Sequence, residues 1–318
     1  MKLNDFFRRA IEAGIDADPR GRSGVEEYLE SIKKEYEALS DKEKQWFNTD
    51  RLWNPFTDTN VFHGAPDFEI KRIAVGIDCD NSELLMINEL NKRGKNIDAL
   101  VAHHPAGKNM GFHYVMSVQM DMFESWGIPI TKAESLMNAR MKEVHRSLLP
   151  SNTRRIPRTA ELLDIPFMSL HSPADVLVQA HVQKTIDDAK PRTVSDIIDL
   201  LTESYKEYSE ARKMQEAMEI FVGAKKNRCG KVVVKMAGGT QGPTTQFEAM
   251  AAAGIGTIVC MHLRDDAVKE AEKHNINVLI AGHMASDSIG LNLLLAAVDP
   301  QGEIDVLPIS GFIYVDRR

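Results

Sequence analysis

The fold is decided by residues 72–104, which read RIAVGIDCDNSELLMINELNKRGKNIDALVAHH. Two short apolar runs, residues 72–78 and 97–104, flank a segment whose apolar residues recur at helical spacing. This order predicts a strand, a helix and a second strand, joined as a right-handed βαβ unit with parallel strands. The helix is expected to end near Gly94, because glycine is the preferred residue just after a helix.

The same order recurs later, so the second half of the chain echoes the first. Residues 231–262 predict a strand, a glycine-rich loop, a helix and a strand, and residues 277–287 predict a further strand. Residues 302–315 predict one or two closing strands. The expected fold class is α/β, with two similar α/β halves whose mixed sheets are flanked by helices.

The region before this pattern is charged and helical in its spacing. Residues 1–60 therefore predict a helical N-terminal extension, with a helix beginning at the capping-box sequence SGVE, residues 23–26. Three aromatic side chains are expected to anchor the extension: Trp46, Phe47 and Trp53. The α/β body is expected to span residues 61–318, with approximate halves 61–190 and 191–318.

Composition limits the classes of function. The chain has 318 residues, a net charge of −7 and a pI of about 5.8, which argue against nucleic acid as a partner. No run of 18 apolar residues predicts a membrane span, and the N-terminus has no apolar core of a signal peptide. The three cysteines have no CxxC spacing, which favours reduced thiols and a cytoplasmic location.

Histidines and carboxylates cluster where the predicted strands end. Ligands of parallel α/β sheets gather at the carboxyl ends of the strands, so polar residues at these ends are the informative ones. The candidates are His103 and His104 in one turn, His171 and Asp175 in HSPAD, His283 and Asp287 in HMASD, and Asp78 and His262 after two more strands.

Imidazole and carboxylate groups together suit a divalent ion such as zinc, manganese or iron. Neighbouring side chains in an extended strand point to opposite faces, so His103 and His104 would serve two adjacent ions from a turn. The histidine pair and the two HxxxD motifs together offer up to six ligands, which fits two ions sharing a bridging water. Any single histidine of the set can instead be an ordinary hydrogen-bonded polar residue.

Two further segments are candidates for binding an anion. AGGTQGPTT, residues 237–245, contains Gly238, Gly239 and Thr240 and lacks the spacing of either nucleotide-binding fingerprint. It can present backbone N–H groups to an anion, or simply form a tight turn that lets helix and sheet pack closely. Arg154 and Arg155, in NTRRIPR, can face an anionic substrate or belong to a solvated loop.

Several of these motifs occur together, in order, in a known family. DALVAHHPAG, FMSLHSPAD and NVLIAGHMASD, with VGID before the first and EAMAAAGIGTIV before the last, resemble the Nif-three-like (Ngg-one-interacting factor) dinuclear metal centre family. That family is also described as the GTP cyclohydrolase type-two homologue family. The resemblance covers residues 72 to about 315, and it identifies this chain as a divergent member.

The resemblance implies a metal site between the two halves and an assembly. Carried over by position, the metal ligands are His103, His104, Asp175, His283 and Asp287, with His171 as a further ligand or a neighbour of the ligands. Asp78 is expected beside them as a supporting residue. The implied assembly is a homo-hexamer built as a trimer of dimers, and the implied cofactors are two divalent ions, each zinc, iron, manganese, cobalt or nickel. The family usually has glutamate where this chain has Asp287, and the shorter side chain leaves open whether one ion or two are bound.

Three functions follow as hypotheses. The first is a metal-dependent hydrolase acting on a small anionic or phosphate-bearing substrate, with His113 or His262 as general acid or base. The second is a non-catalytic metal-binding or regulatory scaffold, in which the hexameric ring itself performs the function. The third is a ring that interacts with nucleic acid, against which the acidic pI counts.

Overall fold

The computed structural model describes residues 1–107 and 115–318, and it confirms the α/β class. Its helices are α1 (Leu3–Ala17), α2 (Gly21–Ala38), α3 (Asp41–Lys44), α4 (Asn81–Lys92), α5 (Val118–Ser125), α6 (Ile130–Leu148), α7 (Arg155–Leu163), α8 (Ser172–Ala189), α9 (Val194–Ser204), α10 (Lys206–Lys213), α11 (Gln246–Ala252), α12 (Asp265–Lys273) and α13 (His283–Val298). Its strands are β1 (Asn60–His63), β2 (Arg72–Gly76), β3 (Ala99–Ala102), β4 (Phe167–Ser169), β5 (Glu219–Val222), β6 (Lys231–Lys235), β7 (Ile255–Cys260), β8 (Asn277–Ile280) and β9 (Asp305–Pro308).

The first sheet has the strand order β1-β4-β3-β2-β9. Strands β2, β3, β4 and β9 run parallel, and β1 is antiparallel at the edge. The central strand β3 reads ALVA and is buried along its whole length, as expected of a parallel strand covered on both faces. The predicted βαβ unit is therefore β2, α4 and β3, and Gly94 follows α4 with a positive φ of 78°.

The second sheet repeats this arrangement with the order β5-β8-β7-β6. Strands β6, β7 and β8 run parallel, and β5 is antiparallel at the edge, just as β1 is in the first sheet. The order β8-β7-β6 matches β4-β3-β2, so the echo read from the sequence is a real structural repeat. Both sheets are mixed and both are flanked by helices, as the sequence predicted.

Two long helices join the repeats. Helix α8 follows β4, α13 follows β8, and the two helices pack directly against each other. Gly290 in α13 makes this close approach possible, because a Cβ atom there would lie 2.5 Å from the carbonyl oxygen of Ala174. The first turns of both helices are thereby held side by side.

Several local expectations are corrected. Helix α2 begins at Gly21 after Arg20, with no side-chain cap, so the predicted start at residues 23–26 is wrong. Trp46 is 84% exposed, so it does not anchor the N-terminal extension as expected. Trp53 packs edge-on against Phe7 of the buried helix α1. The loop predicted around NTRRIPR gives way to α7 at Arg155. Among the residues described, no helix is long and apolar enough to span a membrane.

Candidate metal centre

The adjacent histidines lie in the turn that leaves β3. The backbone N–H of His103 donates to the carbonyl of Gly76, and that of His104 donates to Ile77, so pairing with β2 continues past the end of the strand. The His103 side chain is fully buried, and a quarter of the His104 side chain is exposed. The two rings lie 5.2 Å apart between centroids.

The two HxxxD motifs are the first turns of helices, which corrects the prediction of strand-end turns. His171 is the residue before α8, and His283 is the first residue of α13. Residues four apart lie on the same face of a helix, so each histidine stands beside its aspartate. Because α8 and α13 pack together, Asp175 and Asp287 are both brought to His103.

Asp287 lies at the centre of this cluster. Its Oδ1 is 3.4 Å from Nε2 of His103, and its Oδ2 is 3.3 Å from Nε2 of His104 and 3.5 Å from Nε2 of His283. Asp175 sits on the other side, with Oδ1 3.4 Å from Nε2 of His103 and Oδ2 3.6 Å from Nε2 of His171. The two oxygens of Asp287 therefore face different histidines.

Four buried polar atoms at the centre of this cluster lack hydrogen bonds. His103 Nε2, Asp175 Oδ1 and both carboxylate oxygens of Asp287 are buried and have no hydrogen-bond partner within residues 1–107 and 115–318. Buried polar atoms left unsatisfied cost free energy, which a bound cation would recover. Three overlapping groups have ligand atoms within 4.8 Å of one another: His103, His104 and His171; His104, His283 and Asp287; and His103, Asp175 and Asp287. These buried groups can bind metal ions.

In three histidines of the cluster, Nδ1, the ring nitrogen that faces away from the other ligands, also has a hydrogen-bond partner. Nδ1 of His104 contacts Oδ1 of Asp78 at 2.6 Å, and Nδ1 of His103 lies 3.2 Å from the carbonyl oxygen of Leu170. Nδ1 of His171 contacts Oδ2 of Asp58 at 2.7 Å. Donation from Nδ1 to these oxygens leaves the lone pair of Nε2 facing the cluster, as in known metal sites.

Sequence reasoning missed Asp58. This carboxylate is fully buried before β1 and also accepts hydrogen bonds from Ser172 and Thr59. Burial raises the pKa of Asp58, but attraction to His171 and these hydrogen bonds outweigh burial and lower it. No motif marks Asp58, which lies 113 residues before its partner in the chain.

Charge balance in the cluster favours protonated His103 when no metal is bound. Burial alone would lower the pKa of His103, but the carboxylates of Asp287 and Asp175 outweigh it and raise the pKa to about 10. The same attraction, working against burial, holds the pKa of Asp287 well below its usual range. A cation is therefore favoured at this position, whether it is a proton or a metal ion.

A cavity of about 210 Å³ opens beside the cluster. His104, His171, Asp175 and His283 line one part of it, and residues of the second sheet line another part. Lys235, which sequence reasoning also missed, is one of these residues and is 7% exposed. The cavity places the candidate ligands within reach of a small molecule.

The remaining predicted residues have mixed placements. His262 lines the cavity with its ring 5.0 Å from that of His283, and burial, with the positive charge of His283 next, lowers its pKa. Gly239 and Thr240 line the cavity, whereas Gly238 has φ of 93° and packs against Gln119. His113 lies outside the described residues.

The two predicted anion-binding arginines do not line this cavity. Arg154 and Arg155 are both exposed, and the guanidinium of Arg155 lies 3.7 Å from the carboxylate of Asp80.

Fold and site together define an α/β protein with a buried histidine–aspartate centre between two repeated units. No protein-family model matches the chain, and no curated protein matches it. Among solved structures, a NIF3 superfamily protein from Sphaerobacter thermophilus is 27% identical with a TM-score of 0.70, over 80% of this chain and 91% of that one. Reduced HcgD from Methanocaldococcus jannaschii shares the fold at 12% identity and a TM-score of 0.51, over 85% and 97% of the two chains.

The chain is a divergent member of the NIF3 superfamily. This membership confirms the resemblance read from the three ordered motifs.

Proposed function

We propose that this protein is a dinuclear metal-dependent hydrolase acting on a small anionic or phosphate-bearing substrate. The observation that carries the proposal is the pair of ligand groups that share Asp287 beside the cavity. One ion would be held by His103, Asp175 and Oδ1 of Asp287, and the other by His104, His283 and Oδ2 of Asp287. His171 stands beside the first group and would be a further ligand of its ion.

The shorter side chain at position 287 is compatible with two ions. Each oxygen of Asp287 already lies within 3.5 Å of a different histidine, so the carboxylate can bridge without the methylene that glutamate would add. Asp78 and Asp58 orient His104 and His171 through their Nδ1 atoms. This outer support keeps Nε2 of His104 aimed at Asp287 and Nε2 of His171 aimed at Asp175.

Two divalent ions held by these residues would supply Lewis-acid activation of water near neutral pH. Residues of the chain would perform the remaining tasks. His262 lines the cavity beside His283, and its lowered pKa leaves a neutral imidazole that can accept a proton. The cavity of about 210 Å³ limits the reacting part of the substrate to a small group.

An activity panel on metal-loaded protein tests the proposal. Phosphomonoester, phosphodiester and cyclohydrolase substrates would be compared for the wild type and for the His283→Ala variant. His274→Ala is a matched control, because His274 also pairs with a carboxylate four residues away, on α12 and outside the cavity. Turnover that His283→Ala abolishes and His274→Ala preserves supports the hydrolase. Full metal loading without turnover on any substrate would contradict it and favour the non-catalytic scaffold.

A further inference from the structure

Lys235 is a buried cation without a counter-ion among the described residues. It ends β6, directly opposite Cys260 in β7, and it is 7% exposed. Its Nζ donates one hydrogen bond, to the carbonyl oxygen of Thr240 at 3.4 Å, and it forms no ion pair with a carboxylate in the described ranges. Burying an ammonium group without a partner is costly, so this position calls for a negative charge.

Cys260 cannot supply that charge. Burial raises the pKa of the Cys260 thiol to about 12, so the sulfur stays protonated and neutral. Burial lowers the pKa of Lys235 to about 8, which still leaves the amine mostly charged near neutral pH. The counter-ion must therefore come from outside the described part of the chain.

The neighbouring loop adds unused hydrogen-bond donors. The side-chain Nε2 of Gln241 is buried with no hydrogen-bond partner among the described residues, while its Oε1 accepts from the backbone of Arg264. The backbone N–H groups of Gln241 and Gly242 donate to no described residue. Arg140 reaches this loop with a guanidinium that donates to the carbonyl oxygen of Gln241 and to Thr240 Oγ1, but its own charge is paired with Glu143. The unpaired charge of Lys235 and the unused donors of Gln241 thus lie side by side.

Lys235, Thr240 and Gln241 line the same cavity as His104 and His283. We propose that Lys235 and the adjacent loop bind an anionic oxygen group, a phosphate or a carboxylate, of a ligand that enters this cavity. The role of that group as the anchor of a substrate whose other end reaches the metal cluster rests on the proposed hydrolase function. Anion binding by itself does not depend on that function.

The test measures anion binding to protein freed of metal by a chelator, so that no metal ion in the cluster binds the anion. Titration calorimetry with inorganic phosphate and with acetate would be run on the wild type, Lys235→Met, Lys235→Arg and Lys231→Met. Lys231 is the matched control, because it lies on the same strand and its Nζ instead donates to the carbonyl oxygen of Trp126. Phosphate protection of Lys235 against acetic anhydride, read by mass spectrometry, gives a site-specific readout.

We expect Lys235→Met to weaken phosphate binding by about tenfold or more, the loss typical of one charged hydrogen-bonding group. Lys235→Arg should retain most of the affinity, and Lys231→Met should bind as the wild type does. Tighter binding of phosphate than acetate would assign the pocket to phosphate, and the reverse order to carboxylate. Equal affinity in Lys235→Met, or a wild-type protein that binds neither phosphate nor acetate, would overturn the inference.

The outcomes separate this inference from the proposed function. Loss of anion binding in Lys235→Met together with a silent activity panel would support the anion site and contradict the hydrolase. Turnover that is lost in His283→Ala, together with unchanged anion binding in Lys235→Met, would support the hydrolase and contradict the anion site.

Discussion

Replacing Gly290 by alanine should loosen the metal cluster without touching any ligand. A Cβ at this position would lie 2.5 Å from the carbonyl oxygen and 2.9 Å from the carbonyl carbon of Ala174, where ordinary contact begins at 3.4 Å. The atoms in the way are backbone, so α8 and α13 must separate by about 1 Å, at a cost of about 1–3 kcal/mol for overpacking. Functional sites tolerate displacements of only about 0.5 Å, and Asp175 and Asp287 sit on the two helices that would move apart.

We therefore expect Gly290→Ala to lower metal affinity by at least about tenfold, the lower end of what a lost supporting contact costs. A competition titration with a chromophoric chelator measures the affinity, and urea unfolding measures the stability. Ala297→Gly is the control, because it lies exposed on the same helix and costs about 1 kcal/mol of helix stability without changing the helix spacing. A Gly290→Ala protein with wild-type metal affinity would refute the reasoning.

Four further predictions concern the pH dependence of metal binding and of stability, the supporting carboxylate Asp58, and the assembly. Metal binding should tighten as pH rises toward the His103 pKa of about 10, by about tenfold per pH unit for each displaced proton, because an ion must expel the proton that His103 holds in the metal-free protein. Without metal, the stabilisation from charged His103 should be complete below the ordinary histidine pKa and lost toward pH 10, as unfolding at several pH values would show. Asp58→Asn should weaken metal affinity by about 10- to 100-fold, because the Asp58 carboxylate orients His171; chelator competition equal to that of the wild type would contradict this. The hexamer implied by the resemblance predicts six chains of 35.6 kDa by light scattering, and a monomeric mass would exclude it.

Much of the fold can be predicted from the sequence, because buried parallel strands have a distinctive apolar pattern. Parallel strands that are covered on both faces appear in the sequence as apolar runs, as is the case for β2, β3, β6 and β7. The repeated order of these strands, with helices between them, predicts two α/β units. The histidines and aspartates at the ends of such strands were visible for the same reason. Their order along the chain then carried the resemblance that the structural comparison confirms.

What sequence reasoning missed depends on contacts between distant segments. Asp58 meets His171 across 113 residues, and no local pattern marks either its burial or its partner. Lys235 ends a strand reading KVVVK, where a terminal lysine is normally taken as solvated, yet the loop at Thr240 folds over it. The first turn of α8 carries a Ser-Pro-x-Asp signal, which serves turns and helix starts equally well, so the sequence alone does not mark the start of this helix.

Metal stoichiometry tests the central claim most directly. Elemental analysis would be made of purified protein loaded with zinc or manganese, for the wild type, His103→Ala and His283→Ala. The account predicts about two ions per chain in the wild type and fewer in each variant, because each variant removes a ligand from a different group around Asp287. Undiminished metal content in both variants, or a wild type that binds no metal, would contradict it.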